Sequence, residues 1–306
     1  EKRREKFIKI NSFDYNQIFK FNIKKKLTIK GNLKLVKAII NYLKPYHNGF
    51  NLSIHCDAPT GSGLGTSGCL GSLLIKMLYI FKKKKISNSK VGELALLIER
   101  ELVKINGGKQ DQYAGMYGGF NILRFKEKYK CKQKKIVLSK SFIDELNYNS
   151  LLIYTKKKHY SNDLLSLQKK RYEKKVGKTI SALHSTNKLT KNILRLFVKE
   201  DISLIGKKLH DGWMLKKKMN PYVTTPEINS LYKKLKKIGV YGGKVLGAGG
   251  GGYMLVLLPF YLKKEAVRII KKQKMELSDY NFENTGLQIW KVKKYKINKN
   301  TKKYFL

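Results

Sequence analysis

Three glycines at alternate positions, Gly61, Gly63 and Gly65, run into two hydroxyls, Thr66 and Ser67, within the segment Asp57-Ala-Pro-Thr-Gly-Ser-Gly-Leu-Gly-Thr-Ser-Gly. Glycines let backbone N–H groups turn inward with no Cβ in the way, and a helix starting at Thr66 adds unpaired N–H donors and the positive end of its dipole. Such a junction grips phosphate without an arginine. The simpler reading, a glycine turn capped by Thr66 or Ser67, does not call for three glycines at alternate positions. No Gly-Lys-Ser/Thr follows the loop, so it is not a Walker motif, and the spacing is not the Gly-x-Gly-x-x-Gly of dinucleotide sites.

Two other stretches carry chemistry. Asp111 stands between Gln110 and Gln112 just before a short apolar turn, where an acid serves either as a helix N-cap or as a positioned base. Gly242 to Gly252 holds seven glycines in eleven positions. With strand-like Lys244 to Leu246 before it and Tyr253 to Leu258 after it, that run suits a buried turn pressed against another backbone or a ligand better than a loose surface loop. His210, Asp211 and Trp213 lie in a helical stretch, where packing competes with substrate contact. His47, His55, His159 and His184 show no ligand spacing.

Pro59-Thr-Gly-Ser-Gly-Leu-Gly-Thr-Ser resembles the second motif of the GHMP kinases, the superfamily of galactokinase, homoserine kinase, mevalonate kinase and phosphomevalonate kinase. Gly108-Lys-Gln-Asp-Gln-Tyr-Ala followed by Gly118-Gly-Phe-Asn, and Gly243-Lys-Val-Leu-Gly-Ala-Gly-Gly-Gly-Gly-Tyr, agree with the superfamily in type and order. Together with the block His210-Asp-Gly-Trp-Met-Leu-Lys-Lys, they look like the branch that phosphorylates D-glycero-D-manno-heptose 7-phosphate. The likeness runs from about Lys9 to about Trp290.

The resemblance implies an α+β, two-lobed fold. A first lobe over residues 1–150, like the second domain of ribosomal protein S5, would bind ATP, and a helix-rich, ferredoxin-like lobe would fill 151–306. It implies that Pro59, Thr60, Gly61, Ser62, Gly63, Leu64, Gly65, Thr66 and Ser67 receive the ATP phosphates. The hydroxyls of Thr66 and Ser67, with Glu99, would hold Mg²⁺, an ion suited to hard oxygen ligands; Glu101, two residues on, is the competing choice. Asp111 would take the proton of the acceptor hydroxyl while Lys109 offsets negative charge. Gln110, Gly247, Ala248, Gly249 and Gly250 would line the substrate cleft. The implied reaction is transfer of the ATP γ-phosphoryl group to a sugar hydroxyl, foremost the anomeric hydroxyl of D-glycero-D-manno-heptose 7-phosphate to give the 1,7-bisphosphate for activated-heptose and surface polysaccharide synthesis. A fucose- or galactose-type kinase and an inactive nucleotide-binding remnant are the alternatives. The remnant reading arises because the superfamily's first motif, Arg-x-Pro-x-Arg with a Gly-Gly-Gly-Thr-Asp-like run, is not found; an open sheet edge and an incomplete sugar site are the expectation there.

Positioning these residues requires particular elements. Lys6-Phe-Ile-Lys-Ile reads as a strand, Leu33 to Tyr46 as a helix stopping at Pro45, and Asn51 to Cys56 as the strand that feeds the glycine loop. Thr66 to Phe81 sets Leu70, Leu73, Leu74, Met77, Leu78 and Phe81 on one helical face. A second helix opened by Ser87 or Ser89 delivers the chain to Gly107. Phe120 to Phe125, Ile136 to Ser139 and Ser150 to Thr155 read as strands. Asn162 to about Lys237 reads as nearly continuous helix with breaks at Asn187, Asp201 and Pro221 to Pro226, and the basic residues beyond Lys291 as peripheral.

The chain of 306 residues carries 66 Lys and Arg against 21 Asp and Glu, a formal charge of +45. The lysines are spread along the whole sequence rather than gathered in a tail or stripe, which argues against a dedicated nucleic-acid surface. Heavy use of Lys, Ile, Asn and Tyr looks like a coding bias toward A and T. No apolar run reaches bilayer length, no signal peptide is visible at Glu1, and Cys56, Cys69 and Cys131 have neither disulfide nor metal spacing. A cytoplasmic enzyme with ATP and a sugar phosphate as partners, without membrane or dedicated nucleic acid, is expected; a homodimer stays open.

Overall fold

A computed structural model of the chain describes residues 1–44, 49–59, 61–157 and 161–292. The expected helix end at Pro45 and Tyr46, and the basic tail from 293 onward, lie outside the described residues. Alternation of Phe7-Ile8-Lys9-Ile10 makes a strand, β1 (Phe7–Ser12), that buries Ile8 and Ile10 and exposes Phe7 and Lys9. β1 pairs antiparallel with β2 (Gln17–Asn22) and, after the crossover helix α1 (Lys34–Leu43), parallel with β3 (Phe50–Ile54). The chain then passes through the glycine loop into α2 (Thr66–Phe81), α3 (Asn88–Leu97), a π-helical turn at Ile98–Leu102, α4 (Asp111–Tyr117) and the hairpin β4 (Phe120–Phe125) and β5 (Cys131–Ile136).

One core serves this half. Val36, Ile39 and Ile40 of α1, Leu74, Ile75 and Leu78 of α2, and Val91 and Ile98 of the following helix close over Ile8, Ile10 and Leu52. The buried face of α2 centres on Leu74, Ile75 and Leu78. Leu73, expected in it, is 39% exposed because it borders a cleft instead.

The second half begins with α5 (Lys140–Tyr148) and β6 (Ser150–Tyr154). Helices α6 (Ser161–Glu173), α7 (Gly177–Val198), α8 (Ile202–Met219) and α9 (Pro226–Lys237) follow, then β7 (Gly242–Val245), β8 (Tyr253–Leu257), α10 (Lys263–Lys272) and β9 (Glu276–Ser278). The sheet order β7-β8-β6-β9, with every pairing antiparallel, is the ferredoxin-like arrangement, and its helices bury Trp213, Leu231, Leu235 and Ile270 on it. After β9 the chain returns to the first half, where the N–H of Gly119 donates to the carbonyl of Glu283 at 2.6 Å and that of Leu287 to Met116 at 3.3 Å.

Two expectations are corrected. The strand after the first hairpin arm is Cys131–Ile136 rather than Ile136 to Ser139, because Ser139 is spent on capping α5 by accepting from the N–H of Phe142 at 3.1 Å. Nor does α7 break at Asn187; it runs unbroken for 22 residues. An interior Asn costs a helix less than about 0.7 kcal/mol, which good helix formers on either side outweigh. Among the described residues no helix is long and apolar enough to cross a membrane.

Candidate active site

Gly61, Gly63 and Gly65 all take left-handed backbone angles, with φ of 75°, 77° and 77°. Gly65 is the N-cap of α2 and supplies no side chain to it, so the donors of the first turn are left for a ligand. α3, α8 and α9 are each capped by a hydroxyl or carboxylate of Ser87, Asp201 or Thr225, whereas α1, α4, α7 and α10 share with α2 the lack of a side-chain cap; what sets α2 apart is the left-handed glycine loop that precedes it. The loop is braced from within: the N–H of Ser62 donates to the carbonyl of Pro59 at 3.1 Å, and that of Leu64 to Ser62 Oγ at 3.4 Å. Thr60 lies outside the described residues.

Asp111 is the first residue of α4 rather than its cap, a place taken by the exposed Gln110, and its side chain lies against the start of α2. A Cβ built on Gly65 would sit 2.9 Å from Asp111 Cγ, and one on Gly68 would sit 2.9 Å from Asp111 Cβ. Small residues at 65 and 68 are what let a carboxylate approach the phosphate loop. Lys109 is directed elsewhere: its Nζ lies 5.9 Å from the centre of the Phe125 ring.

Glu99 and Ser67 come together. Ser67 Oγ donates to Glu99 Oε1 at 3.3 Å, and Glu99, only 5% exposed, lies on the π-turn at the foot of α3. The Arg100 guanidinium is 3.6 Å from the same oxygen. It also donates to the carbonyls of Ile105 and Gly108, both at 2.6 Å, pinning the segment that leads to Asp111. Glu101 turns outward to Lys128 and the hydroxyl of Tyr129, contacts that hold its carboxyl below the usual range. Thr66 opens the first turn of α2 and borders the cleft with Ser67. The pair of hard oxygens at Ser67 and Glu99 fits a small divalent cation that keeps part of its water shell.

The third glycine stretch packs beneath the loop. A Cβ on Gly247 would lie 2.5 Å from the carbonyl oxygen of Gly63, and the N–H of Tyr253 donates to the carbonyl of Ser62 at 3.3 Å. Ala248 is half-buried, while Gly249 and Gly250 turn to Val223, whose carbonyl accepts from the N–H of Gly250. Lys216 of α8 donates to the carbonyls of Val245 at 3.4 Å and Gly247 at 2.5 Å, fastening this stretch to the helical lobe. Burial, with Lys244 nearby, brings its ammonium down to about 7. His210 meets the hydroxyl of Tyr232 at 2.9 Å, Asp211 pairs with Lys208, and Trp213 is fully buried.

Sequence reasoning missed Gln112, Arg100 and Lys216. Gln112 and Lys216 lay inside quoted motifs with nothing in their type to mark them, and Arg100 was one more cation in a basic chain. A cleft of about 640 Å³ opens beside the loop, with Gly61, Leu64, Thr66 and Ser67 on one wall and Tyr15 and Leu73 on others. A shallower groove of about 680 Å³ at Tyr172, Ile180 and His184 has neither turned-in amides nor a buried carboxylate.

An uncapped helix end behind a glycine loop, a carboxylate packed on it and a hydroxyl–carboxylate pair beside it make a site for moving a phosphoryl group. That defines the class as phosphotransferase. Residues 34–119 match the family model of the GHMP kinases N terminal domain and residues 193–275 that of the GHMP kinases C terminal, together more than half of the chain, which therefore belongs to the GHMP kinases, ATP-dependent phosphotransferases acting on an alcohol group. It is 28% identical over 299 residues to the D-glycero-alpha-D-manno-heptose 7-phosphate kinase of Campylobacter jejuni, covering 95% of this chain and 86% of that one. It is 26% identical over 228 residues to the bifunctional fucokinase/GDP-fucose pyrophosphorylase of Arabidopsis thaliana, covering 73% of this chain and 21% of that protein. Its fold matches the crystal structure of a D-glycero-D-manno-heptose 1-phosphate kinase from Bacteroides thetaiotaomicron with a TM-score of 0.77 at 24% identity, over 96% of this chain and 86% of the other.

Proposed function

We propose that the chain is a sugar kinase whose acceptor is a phosphorylated heptose, with the anomeric hydroxyl of D-glycero-D-manno-heptose 7-phosphate as the group phosphorylated. The observation that carries the kinase reading is Asp111 packed against Gly65 and Gly68 beside the glycine loop, and the heptose phosphate as acceptor follows the 28% identical heptose 7-phosphate kinase. In this reading the loop amides from Gly61 to Ser67 and the first turn of α2 hold the triphosphate. Asp111 orients the acceptor hydroxyl and takes its proton as the new O–P bond forms to the γ-phosphorus and the bond to the β,γ-bridging oxygen breaks, releasing ADP. Ser67 and Glu99 would hold Mg²⁺, with Thr66 beside them; when bound, the ion supplies positive charge to the β- and γ-phosphate oxygens. Gln110, next to the base, stays on the acceptor side of the same proposal; Lys109 would have to swing from the Phe125 ring to offset charge there, and Gly247, Ala248, Gly249 and Gly250 would act by bracing the loop from behind. Most of the rate gain on this account comes from alignment and charge stabilisation.

Separate cores over Ile8 to Met116 and Leu151 to Met275 support a division of the chain between them, with α5 packed on the second half through Phe142 and Leu146 against Ile202, Ile205 and Leu257. Three free cysteines accord with a reducing, cytoplasmic setting. The test is a coupled ADP-release assay with calorimetry of nucleotide binding. Asp111→Asn should lower turnover by about 10²- to 10⁴-fold while the affinity for MgATP stays nearly constant. Unchanged turnover disposes of the base. A panel of heptose 7-phosphate, fucose and galactose, the second motivated by the fucokinase relative, should give the highest kcat/KM with the heptose phosphate; preference for an unphosphorylated sugar removes the finer assignment.

A further inference from the structure

The Glu99 carboxylate is held by an amide that the proposed reaction does not use. Gln112 is 2% exposed, and its Nε2 donates to Glu99 Oε2, the oxygen that Ser67 does not reach. Its Oε1 is buried and has no hydrogen-bond partner among the described residues. Turning the amide over would set an acceptor against the carboxylate, so the carboxylate dictates which way the amide faces and leaves Oε1 orphaned. A leucine or methionine of similar volume would pack there without that penalty, so packing does not account for a glutamine.

The backbone of Gln112 is equally constrained. Its carbonyl accepts from Ser72 Oγ at 2.9 Å, and its N lies 3.0 Å from where a Cβ on Gly68 would stand. The residue is therefore fixed to the first two turns of α2, the helix that presents Ser67, and it directly follows Asp111. Arg100 offers Glu99 a competing partner at 3.6 Å. The guanidinium lies by Oε1, the oxygen that Ser67 also reaches; without the amide no other hydrogen bond among the described residues holds Oε2, and the carboxylate is free to rotate so that Arg100 displaces Ser67.

We propose that Gln112 is a positioning residue: its side-chain N–H fixes the Glu99 carboxylate toward Ser67 and so sets the divalent-cation affinity of the site, while its backbone keeps that pair at a constant distance from Asp111. The inference rests on the reading of Ser67 and Glu99 as the metal pair. It is tested by titrating Mn²⁺ into the full chain with a non-hydrolysable ATP analogue, read by electron paramagnetic resonance, beside calorimetry of the same analogue without metal. Gln112→Leu should weaken Mn²⁺ binding by about tenfold or more, as loss of an outer-sphere partner does. Metal-free nucleotide affinity should change little, and excess Mg²⁺ should restore much of the turnover. Gln112→Met, which keeps the length of the side chain, gives the same reading if the leucine variant folds poorly. Glu99→Gln separates the two ideas. If it weakens Mn²⁺ binding and neither Gln112 variant does, the positioning role is wrong and the metal pair stands. If Glu99→Gln leaves Mn²⁺ binding unchanged, the metal pair is wrong and the role of Gln112 falls with it.

Discussion

A methyl group at position 65 would have to share space with the carboxylate of Asp111, and it would sit on a residue whose φ is 77°. The left-handed conformation costs a non-glycine residue about 1–2 kcal/mol, a modest fraction of domain stability. The displacement of Asp111 is the larger functional loss, because a misplacement of roughly 1 Å can cost about 10²-fold in rate. Gly65→Ala should therefore melt only a few degrees lower while losing most of its turnover, measured by thermal unfolding and the coupled assay on one preparation; a variant that keeps its rate argues that Asp111 is not the base. At this scale the sequence was legible for position where a motif marked it, as with Ser67 on the first turn of α2 and Asp111 packed against that turn. It was illegible where the role depends on a partner far along the chain. Glu99 and Glu101 are two residues apart on one turn, and the π-helical widening helps turn one inward to Ser67 and Gln112 and the other outward to Lys128. Gln112 looked like one more polar residue beside an acid, and only the fold brings it to the carboxylate 13 positions earlier.

Elements were most legible where periodicity and punctuation agreed. α2 covers the expected span from Thr66 to Phe81, and Ser87 caps α3. β2, α5, α10 and β9 were not anticipated: β2 carries apolar residues on both faces, and β9 has three residues, too few for a period. The joint between α8 and the β7–β8 turn was hidden too, since Lys216 is one lysine among many until its Nζ is seen on the carbonyls of Val245 and Gly247. Burial lowers that group to about 7 in the folded chain from an ordinary value of 10.5. Between those values the unfolded chain binds the proton that the folded chain has released. Stability from this group therefore rises as pH climbs from about 7 toward 10.5, and the penalty is full below 7. Wild type should gain stability from about pH 7 to about pH 9, below the range in which tyrosines titrate, and Lys216→Met should show a shallower gain, read by urea unfolding at each pH. Equal slopes would mean that Lys216 reaches solvent in the folded chain.

For the whole molecule, the net charge of +45 is the property that no single residue or element explains. The acids in the described ion pairs, Asp144 with Lys140 and Glu173 with Lys169 among them, are already counted in that balance, so the excess is carried by cations without an acidic partner to neutralise them. The field of so many cations instead reaches outward and raises the encounter rate of anions with the cleft, so it acts on the capture of a charged substrate more than on the chemical step. Raising ionic strength from about 0.01 M to about 0.15 M shortens the Debye length from about 30 Å to about 8 Å and should remove most of that steering. At saturating MgATP, kcat/KM for a phosphorylated sugar should fall severalfold across that range while kcat holds nearly constant. An unphosphorylated sugar should show almost no change in kcat/KM, since it carries no charge for the field to act on. If the charged and uncharged acceptors respond alike, the lysine excess plays no part in capturing substrate, and the coding bias read from composition is sufficient to account for it.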